Sequence, residues 1–227
     1  MPTMRLKGLD FHYERAGSGP PLLFLNGSGV TLDDARPLVS RLTGHFEVAA
    51  FDQRGIGRTG TPREPYTMAE LAADAVAVTD RLGWRRYRLL GVSFGGMVAQ
   101  ELAVTEPGRI ERLALLCTSS GGAGGSSSAL HGDERPVPPA RRPGRASGVT
   151  WQLRARAGHD VFDRLPRINC PTLVASGSRD TIAPASRGAA LADRIPDAVF
   201  RVFEGGHLFF LEDPTALPAV TRFLAAG

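Results

Sequence analysis

The chain has 227 residues, of which 42% are hydrophobic and 22% charged, so we expect one ordinary soluble globular domain and too little chain for two full domains. The formal net charge is only +4, and the basic residues are not interleaved with aromatic ones, so we expect no nucleic-acid partner. No apolar run approaches the roughly 18 residues of a membrane-spanning helix, and residues 1–10 lack the apolar segment of a signal peptide, so we expect a cytoplasmic protein without membrane association.

Strand and helix signals alternate along most of the chain. Apolar runs bounded by Gly, Pro or polar residues predict strands at 4–15 (two short strands), 22–25, 46–51, 87–90, 110–117, 171–176 and 198–203. Helical spacing of apolar residues predicts helices at 33–42, 71–82, after residue 95, and at 183–194 and 214–225. The helix at 71–82 is preceded by a capping box in which Thr67 is followed by Glu70, and Gly83 ends it.

Because the strands are apolar on both faces and alternate with helices, the pattern predicts a mostly parallel sheet covered by helices on both sides. Ligands of such sheets bind at the carboxyl ends of the strands. Four chemically informative positions, at 26–29, 93, 180 and 207, each come directly after a predicted strand. The sequence therefore predicts a single site at that edge of the sheet.

Ser93 is the candidate nucleophile. It stands in the stretch Gly91-Val92-Ser93-Phe94-Gly95, between a strand signal and a helix signal. A tight strand-to-helix turn needs glycine two residues on either side of the serine and exposes its hydroxyl at a helix N-terminus, where negative charge is favoured. A flexible loop would also explain G-x-S-x-G in a chain with 27 glycines, but the flanking elements favour the nucleophile.

A serine hydroxyl needs a base, and the base needs an orienting carboxylate. Among the five histidines, only His207 follows a terminal strand in a glycine-containing loop, and Asp180 follows the strand before it. The alternative interpretations are a surface-loop histidine and an aspartate that caps a helix or closes an Asx-turn. The glycine-rich loop at 26–31 exposes backbone N–H groups that suit an oxyanion, although an ordinary strand-to-helix loop also uses glycine.

The chain resembles the α/β-hydrolase fold family, in its esterase, enol-lactonase and proline-iminopeptidase-like branch. The resemblance extends from about residue 10 to the C-terminus and is carried by the segments 24–29, 52–57, 91–96, 177–180 with Pro184, and 205–207. It implies Ser93 as nucleophile, His207 as acid and base, and Asp180 as the residue that orients His207. It also implies an oxyanion hole formed by the backbone N–H groups of Ser28 and Phe94.

Three features depart from the family pattern. Asn26 and Ile56 stand where members more often carry histidine. Residues 119–165 form an abbreviated lid segment, rich in Gly, Ser, Pro and Arg, between core segments 1–118 and 166–227. Because family lids shape the substrate pocket, the substrate class is the least transferable property.

We therefore expect a serine hydrolase that cleaves a carboxylic ester, a lactone or a similar small acyl substrate through an acyl-enzyme. The alternatives are C–C bond hydrolysis, acyl transfer or aminopeptidase action by the same three residues, or a non-catalytic ligand-binding protein on the same fold. No cluster of Cys, His or Asp has metal-ligand spacing, so we expect no metal and no organic cofactor. Cys117 and Cys170 are the only two cysteines and each borders an apolar strand-like run, so we expect small buried side chains in a reducing compartment and no disulfide framework.

Overall fold

A single β-sheet forms the centre of the protein. The computed structural model describes residues 2–124 and 145–226. Within them the strands are β1 (Thr3–Leu6), β2 (Leu9–Ala16), β3 (Pro21–Leu25), β4 (Glu47–Phe51), β5 (Tyr87–Val92), β6 (Ile110–Leu116), β7 (Thr172–Gly177) and β8 (Ala198–Phe203). They lie in the order β1-β2-β4-β3-β5-β6-β7-β8. The pairs β1/β2 and β2/β4 are antiparallel and the others are parallel, which confirms the mostly parallel sheet.

Helices cover both faces of the sheet. Their bounds are α1 (Leu32–Leu42), α2 (Met68–Arg81), α3 (Phe94–Thr105), α4 (Arg145–Ala157), α5 (Ala185–Ala192), α6 (Phe209–Glu212) and α7 (Ala216–Ala225). The strand pleat divides the core, because Leu23 and Leu25 of β3 pack with α2 and α3, whereas Leu22 and Phe24 pack with α1 and α7. Both faces of the sheet are buried, and for this reason the sequences of the strands are continuous apolar runs.

The helix ends follow from local sequence. Thr67 and Glu70 form the predicted reciprocal capping box at the start of α2, and Thr31 and Asp34 form a second one at the start of α1. Gly83 has a φ of 77°, a left-handed conformation that ends α2 without steric cost. These boundaries depend on neighbours within a few residues and were readable from the sequence.

The C-terminal helix differs from the sequence prediction. It begins at Ala216 and not at Pro214, and the short helix α6 precedes it. The cause is a turn at Asp213, whose Oδ1 accepts hydrogen bonds from the backbone N–H and the hydroxyl of Thr215. The signal from Pro214 therefore marks the turn and not the first helical residue.

Within the predicted lid segment the sequence favours helix at 151–156 and 160–165, and the structure has helical segments that overlap both ranges. Helix α4 begins at Arg145, and a 3₁₀ helix covers Phe162–Arg167. Residues 125–144 of the predicted lid lie outside the described residues, and the division into core and lid remains a prediction. None of the helices within 2–124 and 145–226 combines the length and apolar character needed to cross a bilayer.

Candidate active site

Ser93 stands at a sharp turn between β5 and α3. Its φ of 53° and ψ of −116° are rare for a residue with a side chain, and such strain is concentrated at functional sites. The turn is held by hydrogen bonds from Ser93 N–H to the Leu116 carbonyl and from the N–H groups of Gly96 and Met97 to the Ser93 carbonyl. The serine is therefore fixed by backbone bonds to a neighbouring strand and to its own helix.

The glycines around Ser93 are needed for close approach. A Cβ on Gly95 would overlap the carbonyl oxygen of Leu25 in β3, and a Cβ on Gly91 would lie 2.6 Å from the Gly95 carbonyl oxygen. Real Cβ atoms do not come this close to backbone, so neither position accepts a larger residue without displacement. The close approach brings the start of α3 against the loop that follows β3.

Asp180 is held rigidly in the loop after β7. Its side chain is completely buried, and its Oδ1 accepts hydrogen bonds from the backbone N–H groups of Ile182 (2.8 Å) and Ala183 (2.9 Å). This is the Asx-type turn that the sequence offered as the alternative role of Asp180. The second oxygen, Oδ2, lies 2.9 Å from Nδ1 of His207. One carboxylate therefore closes the turn and contacts the histidine.

His207 connects Asp180 with Ser93. Its Nε2 lies 2.9 Å from Ser93 Oγ, and its side chain is 19% exposed. An ionised carboxylate can only accept a hydrogen bond, so Nδ1 carries the proton and Nε2 is left to accept from the serine hydroxyl. The structure thus brings together three side chains that the sequence selected from separate loops. In this tautomer, the imidazole is oriented to take the hydroxyl proton.

The loop after β3 lies beside the serine. A Cβ on Gly27 would lie 3.7 Å from Ser93 Cβ, so the backbone of this loop and Ser93 are in contact distance. Within the part of the chain that the structure describes, neither the Ser28 nor the Phe94 backbone N–H has a hydrogen-bond acceptor. Phe94 is the first residue of α3, where N–H groups have no partner inside the helix. The loop that carries Ser28 thus adjoins Ser93, and the Ser28 and Phe94 N–H groups are not occupied by acceptors of the described residues.

Cys117 is the other nucleophilic side chain close to this turn. It follows β6, is 1% exposed and has a φ of 43°. Burial raises the pKa of its thiol far above the ordinary range, and the nearby Asp180 carboxylate acts in the same direction. The thiol is therefore neutral and a poor nucleophile.

Asp52 is a buried carboxylate that connects two loops below the candidate site. Its Oδ1 accepts from the backbone N–H of Leu32, and its Oδ2 accepts from that of Arg58, both at 2.8 Å. Burial raises the pKa of this carboxyl, and the two backbone hydrogen bonds oppose the change. Asp52 ties the start of α1 to the loop after β4, a structural task. No group of three or more His, Cys, Asp or Glu that would suit a metal ion occurs among residues 2–124 and 145–226.

A sequence model of the α/β-hydrolase fold matches residues 20–150, more than half of the chain. The chain belongs to this family. The family and fold expected from the sequence motifs are therefore confirmed. This α/β-hydrolase is 32% identical to a poly(3-hydroxyalkanoate) depolymerase of Ectopseudomonas oleovorans, over 90% of this chain and 84% of that protein.

Two further relatives are similar over nearly their whole length. The α/β-hydrolase described here is 25% identical to 3-oxoadipate enol-lactonase 2 of Acinetobacter baylyi, over 94% of this chain and 92% of that one. The crystal structure of an enol-lactonase from Burkholderia xenovorans LB400 superposes with a TM-score of 0.85 at 26% identity, over 99% of this chain and 100% of that chain.

One part of the site of this α/β-hydrolase has no signal in the amino-acid sequence. Gln152 on α4 contacts the loop after β3, and its amide group also reaches Gln53. Gln152 lies in a helix whose sequence pattern carries no motif. Asn26 and Gln53 belong to the segments 24–29 and 52–57 that carry the family resemblance, but nothing in the sequence indicated that their side chains or carbonyl groups meet Gln152 or each other. Their contacts span up to 124 residues of chain and follow from no local rule.

Proposed function

We propose that this chain is a serine hydrolase that cleaves a carboxylic ester, a lactone or a similar small acyl substrate through an acyl-enzyme. One observation carries the proposal: the His207 imidazole lies 2.9 Å from Ser93 Oγ on one side and 2.9 Å from Asp180 Oδ2 on the other. A serine so placed has a base for its proton, and the base has a fixed tautomer.

The first half-reaction transfers the acyl group. His207 Nε2 takes the Ser93 hydroxyl proton while Oγ bonds to the substrate carbonyl carbon. The resulting oxyanion accepts hydrogen bonds from the Ser28 and Phe94 N–H groups, which have no acceptor among the described residues. His207 then returns the proton to the leaving alkoxide oxygen as the C–O bond breaks. The products are an alcohol and the Ser93 ester.

The second half-reaction reverses these roles with water. His207 takes a proton from a water molecule, whose oxygen bonds to the acyl carbon. The tetrahedral oxyanion returns to the same two N–H groups, and His207 protonates Ser93 Oγ as it leaves. The free carboxylic acid departs and the serine is restored. Besides the substrate and one water molecule, these steps use side chains and backbone groups of this chain.

The relatives support an acyl C–O bond as the target. Two of them are named for lactones, which are cyclic esters, and a third for depolymerising poly(3-hydroxyalkanoate). The common features of these names are a carbonyl carbon and an oxygen leaving group. They do not fix the length of the acyl chain for the present protein.

The test combines a substrate panel with active-site labelling. Activated esters of increasing acyl length, lactones and aminoacyl amides are assayed beside a serine-reactive phosphonate, with Ser93→Ala as the matched control. We expect turnover of esters or lactones, phosphonate attached to Ser93 in peptide mass spectra, and an acylated Ser93 peptide after acid quench. Turnover restricted to amides would favour aminopeptidase action. An unlabelled wild-type protein would contradict the proposal and favour a ligand-binding role.

A further inference from the structure

The side chain of Gln152 is fully buried between helix α4 and the loop that follows β3. Its Oε1 accepts a hydrogen bond from the Ser28 hydroxyl (3.2 Å) and another from the Gly29 backbone N–H (2.8 Å). The Gly29 N–H belongs to the Ser28–Gly29 peptide unit, and the Ser28 hydroxyl lies beside that unit. One oxygen atom from α4 therefore fixes the side-chain rotamer of Ser28 and the plane of the peptide that follows it.

The orientation of the Gln152 amide is determined by its neighbours. Because Oε1 receives two donors, Nε2 faces the Oε1 atom of Gln53, at 3.2 Å. Gln53 in turn directs its own Nε2 to the Asn26 carbonyl oxygen, at 2.9 Å. Every polar atom of the two glutamine side chains thus has a partner, and reversing either amide would set two acceptors or two donors against each other.

Other hydrogen bonds hold the ends of this loop, from the Val30 N–H to the Gly27 carbonyl oxygen and from the Asn26 side chain to the Thr31 carbonyl oxygen. Ser28 lies between two glycines, and Gly29 has a φ of 70°, which residues with side chains seldom adopt. Stabilisation of an oxyanion depends on donors that already point to it before the reaction, since reorienting them costs free energy. A loop whose Ser28 N–H samples several directions would contribute less to the transition state.

We propose that Gln152 is a positioning residue that holds the Ser28 N–H in the direction of the oxyanion. This inference rests on the serine hydrolase function proposed above. Gln152 does not touch the reacting atoms; it acts through Ser28 and Gly29. Through Gln152, one side chain of α4 takes part in forming the oxyanion hole.

Helix α4 has other attachments that Gln152 variants leave in place. A Cβ on Gly148 would overlap the Gly55 carbonyl oxygen, so these backbones are in direct contact. The Tyr66 hydroxyl lies 3.1 Å from the carbonyl oxygens of both Arg54 and Gly148, and the Tyr66 ring meets Trp151 edge-on. These contacts seat α4 without touching Ser28 or Gly29, and they provide a control for general loosening of the helix.

The experiment compares Gln152→Leu and Gln152→Glu with two control variants on the best ester or lactone of the panel. Tyr66→Phe removes the hydroxyl anchor of α4, and Arg154→Ala changes an exposed residue of the same helix. We expect Gln152→Leu to lower kcat by about 10- to 100-fold with KM changed less than about threefold, since the lost interaction belongs to the transition state. Both controls should keep kcat within about threefold of wild type.

Gln152→Glu adds a pH readout that a purely structural role would not produce. The ionised carboxylate can still accept from Ser28 and Gly29, but it opposes the Gln53 acceptor and places negative charge near the forming oxyanion. The protonated carboxyl can donate to Gln53 as the amide does. The ratio of kcat for Gln152→Glu to kcat for wild type should therefore rise as the pH falls from about 8 to about 6, and the ratio cancels the titration of groups common to both proteins.

The outcomes separate this inference from the proposed function. If the wild type turns over the ester but Gln152→Leu keeps full kcat, or Tyr66→Phe loses as much as Gln152→Leu, the positioning role is wrong and the hydrolase stands. If Gln152→Leu does not fold, the test is the ratio of kcat for Gln152→Glu to kcat for wild type. A ratio that does not change with pH overturns the positioning role. A wild-type protein without turnover of any panel member overturns both.

Discussion

The carboxylate of Asp180 holds His207 with one oxygen and its own loop with the other, although 27 residues separate the two side chains in sequence. The N–H groups of Ile182 and Ala183 occupy Oδ1 and leave Oδ2 directed at Nδ1 of the imidazole. The direction of the histidine ring therefore depends on a carboxylate that cannot rotate. This relationship sets the first prediction.

Asp180→Asn should lower kcat by about four orders of magnitude. With Oδ1 retained as the acceptor of the two backbone N–H groups, the Asn amide would face Nδ1, and the imidazole would need its proton on Nε2, where it cannot accept from Ser93. Steady-state kinetics on the best panel substrate measure the loss. Asp213→Asn is the control, because the Asp213 carboxylate accepts hydrogen bonds from Glu204 and Thr215 and not from His207. Near-wild-type activity of Asp180→Asn would show that another group orients His207.

Ser93→Ala and His207→Ala should each reduce kcat by about 10⁴- to 10⁶-fold, and the double variant should be little worse than either single variant. The reason is that the 2.9 Å contact between Nε2 and Oγ makes the pair act as one unit. The measurement is kcat of the three variants, each corrected for the uncatalysed rate. Losses that multiply in the double variant would contradict a shared role.

Backbone strain at Ser93 predicts that a glycine variant is more stable than an alanine variant, the reverse of the usual order. Ser93→Gly should be more stable than Ser93→Ala by about 1–2 kcal/mol, because alanine keeps the Cβ at a φ of 53° and glycine removes the strain. Both variants lose the contact with His207 equally. Chemical unfolding measures the difference. At the exposed Ser178, whose φ is not positive, the glycine variant should be the less stable one.

The contact between Gly95 and β3 predicts a folding defect. Gly95→Ala should greatly reduce the yield of folded protein, since the added Cβ would overlap the Leu25 carbonyl oxygen and separate α3 from β3. Gly44→Ala is the matched control, because no atom lies within 4 Å of a Cβ there. Circular dichroism and thermal unfolding compare the two. A Gly95→Ala protein as stable as the control would mean that the elbow tolerates displacement.

His159 predicts how stability depends on pH. It is 6% exposed, its ring nitrogens have no hydrogen-bond partner among the described residues, and burial lowers its pKa from 6.5 to about 4. Between these values the unfolded chain binds a proton that the folded chain does not, so the stability falls as the pH is lowered from about 6.5 to 4. The largest loss from this residue is about 3 kcal/mol.

His159→Leu should remove the contribution of this residue to the fall of the free energy of unfolding between pH 6.5 and 4. Chemical unfolding of wild type and variant at several pH values measures it, and the difference between the two proteins should be constant between pH 7 and 8, where His159 is neutral in both states. Glu101 and Asp160 lie near the ring and favour its charged form, whereas Arg164 opposes it. If the free energy of unfolding depends on pH equally in wild type and His159→Leu between pH 6.5 and 4, the His159 ring binds its proton while the protein is folded.

The buried ion pair between Arg54 and Asp74 predicts a large stability effect. Arg54 meets the Asp74 carboxylate with two bonds of 2.6 and 2.7 Å, and both side chains are less than a tenth exposed. Asp74→Ala should cost about 3–5 kcal/mol, because the guanidinium stays buried without this partner. Glu204→Ala, from the exposed pair with Arg179, should change little. A double variant, Arg54→Met with Asp74→Leu, should be less destabilised than Asp74→Ala.

The sequence by itself determined the features that depend on near neighbours. Three such features are the capping box at Thr67, the end of α2 at Gly83 and the Gly-x-Ser-x-Gly elbow. Each requires particular residues within a few positions, so each could be predicted from its sequence pattern. The alternation of apolar strands and helices predicted the parallel sheet. The carboxyl ends of parallel strands meet at one edge, so even the meeting of Ser93, Asp180 and His207 was predictable from their placement after strands.

Only the tertiary structure decided which side chains hold the loops in place. Gln152 has no motif, and its bonds to Ser28 and Gly29 cross more than 120 residues of chain. The turn at Asp213 moved the start of α7 from Pro214 to Ala216 through a side-chain bond that propensity does not encode. A glutamine or aspartate can make many bonds of equal quality, and its choice of partner follows from which backbone groups the completed fold leaves within reach.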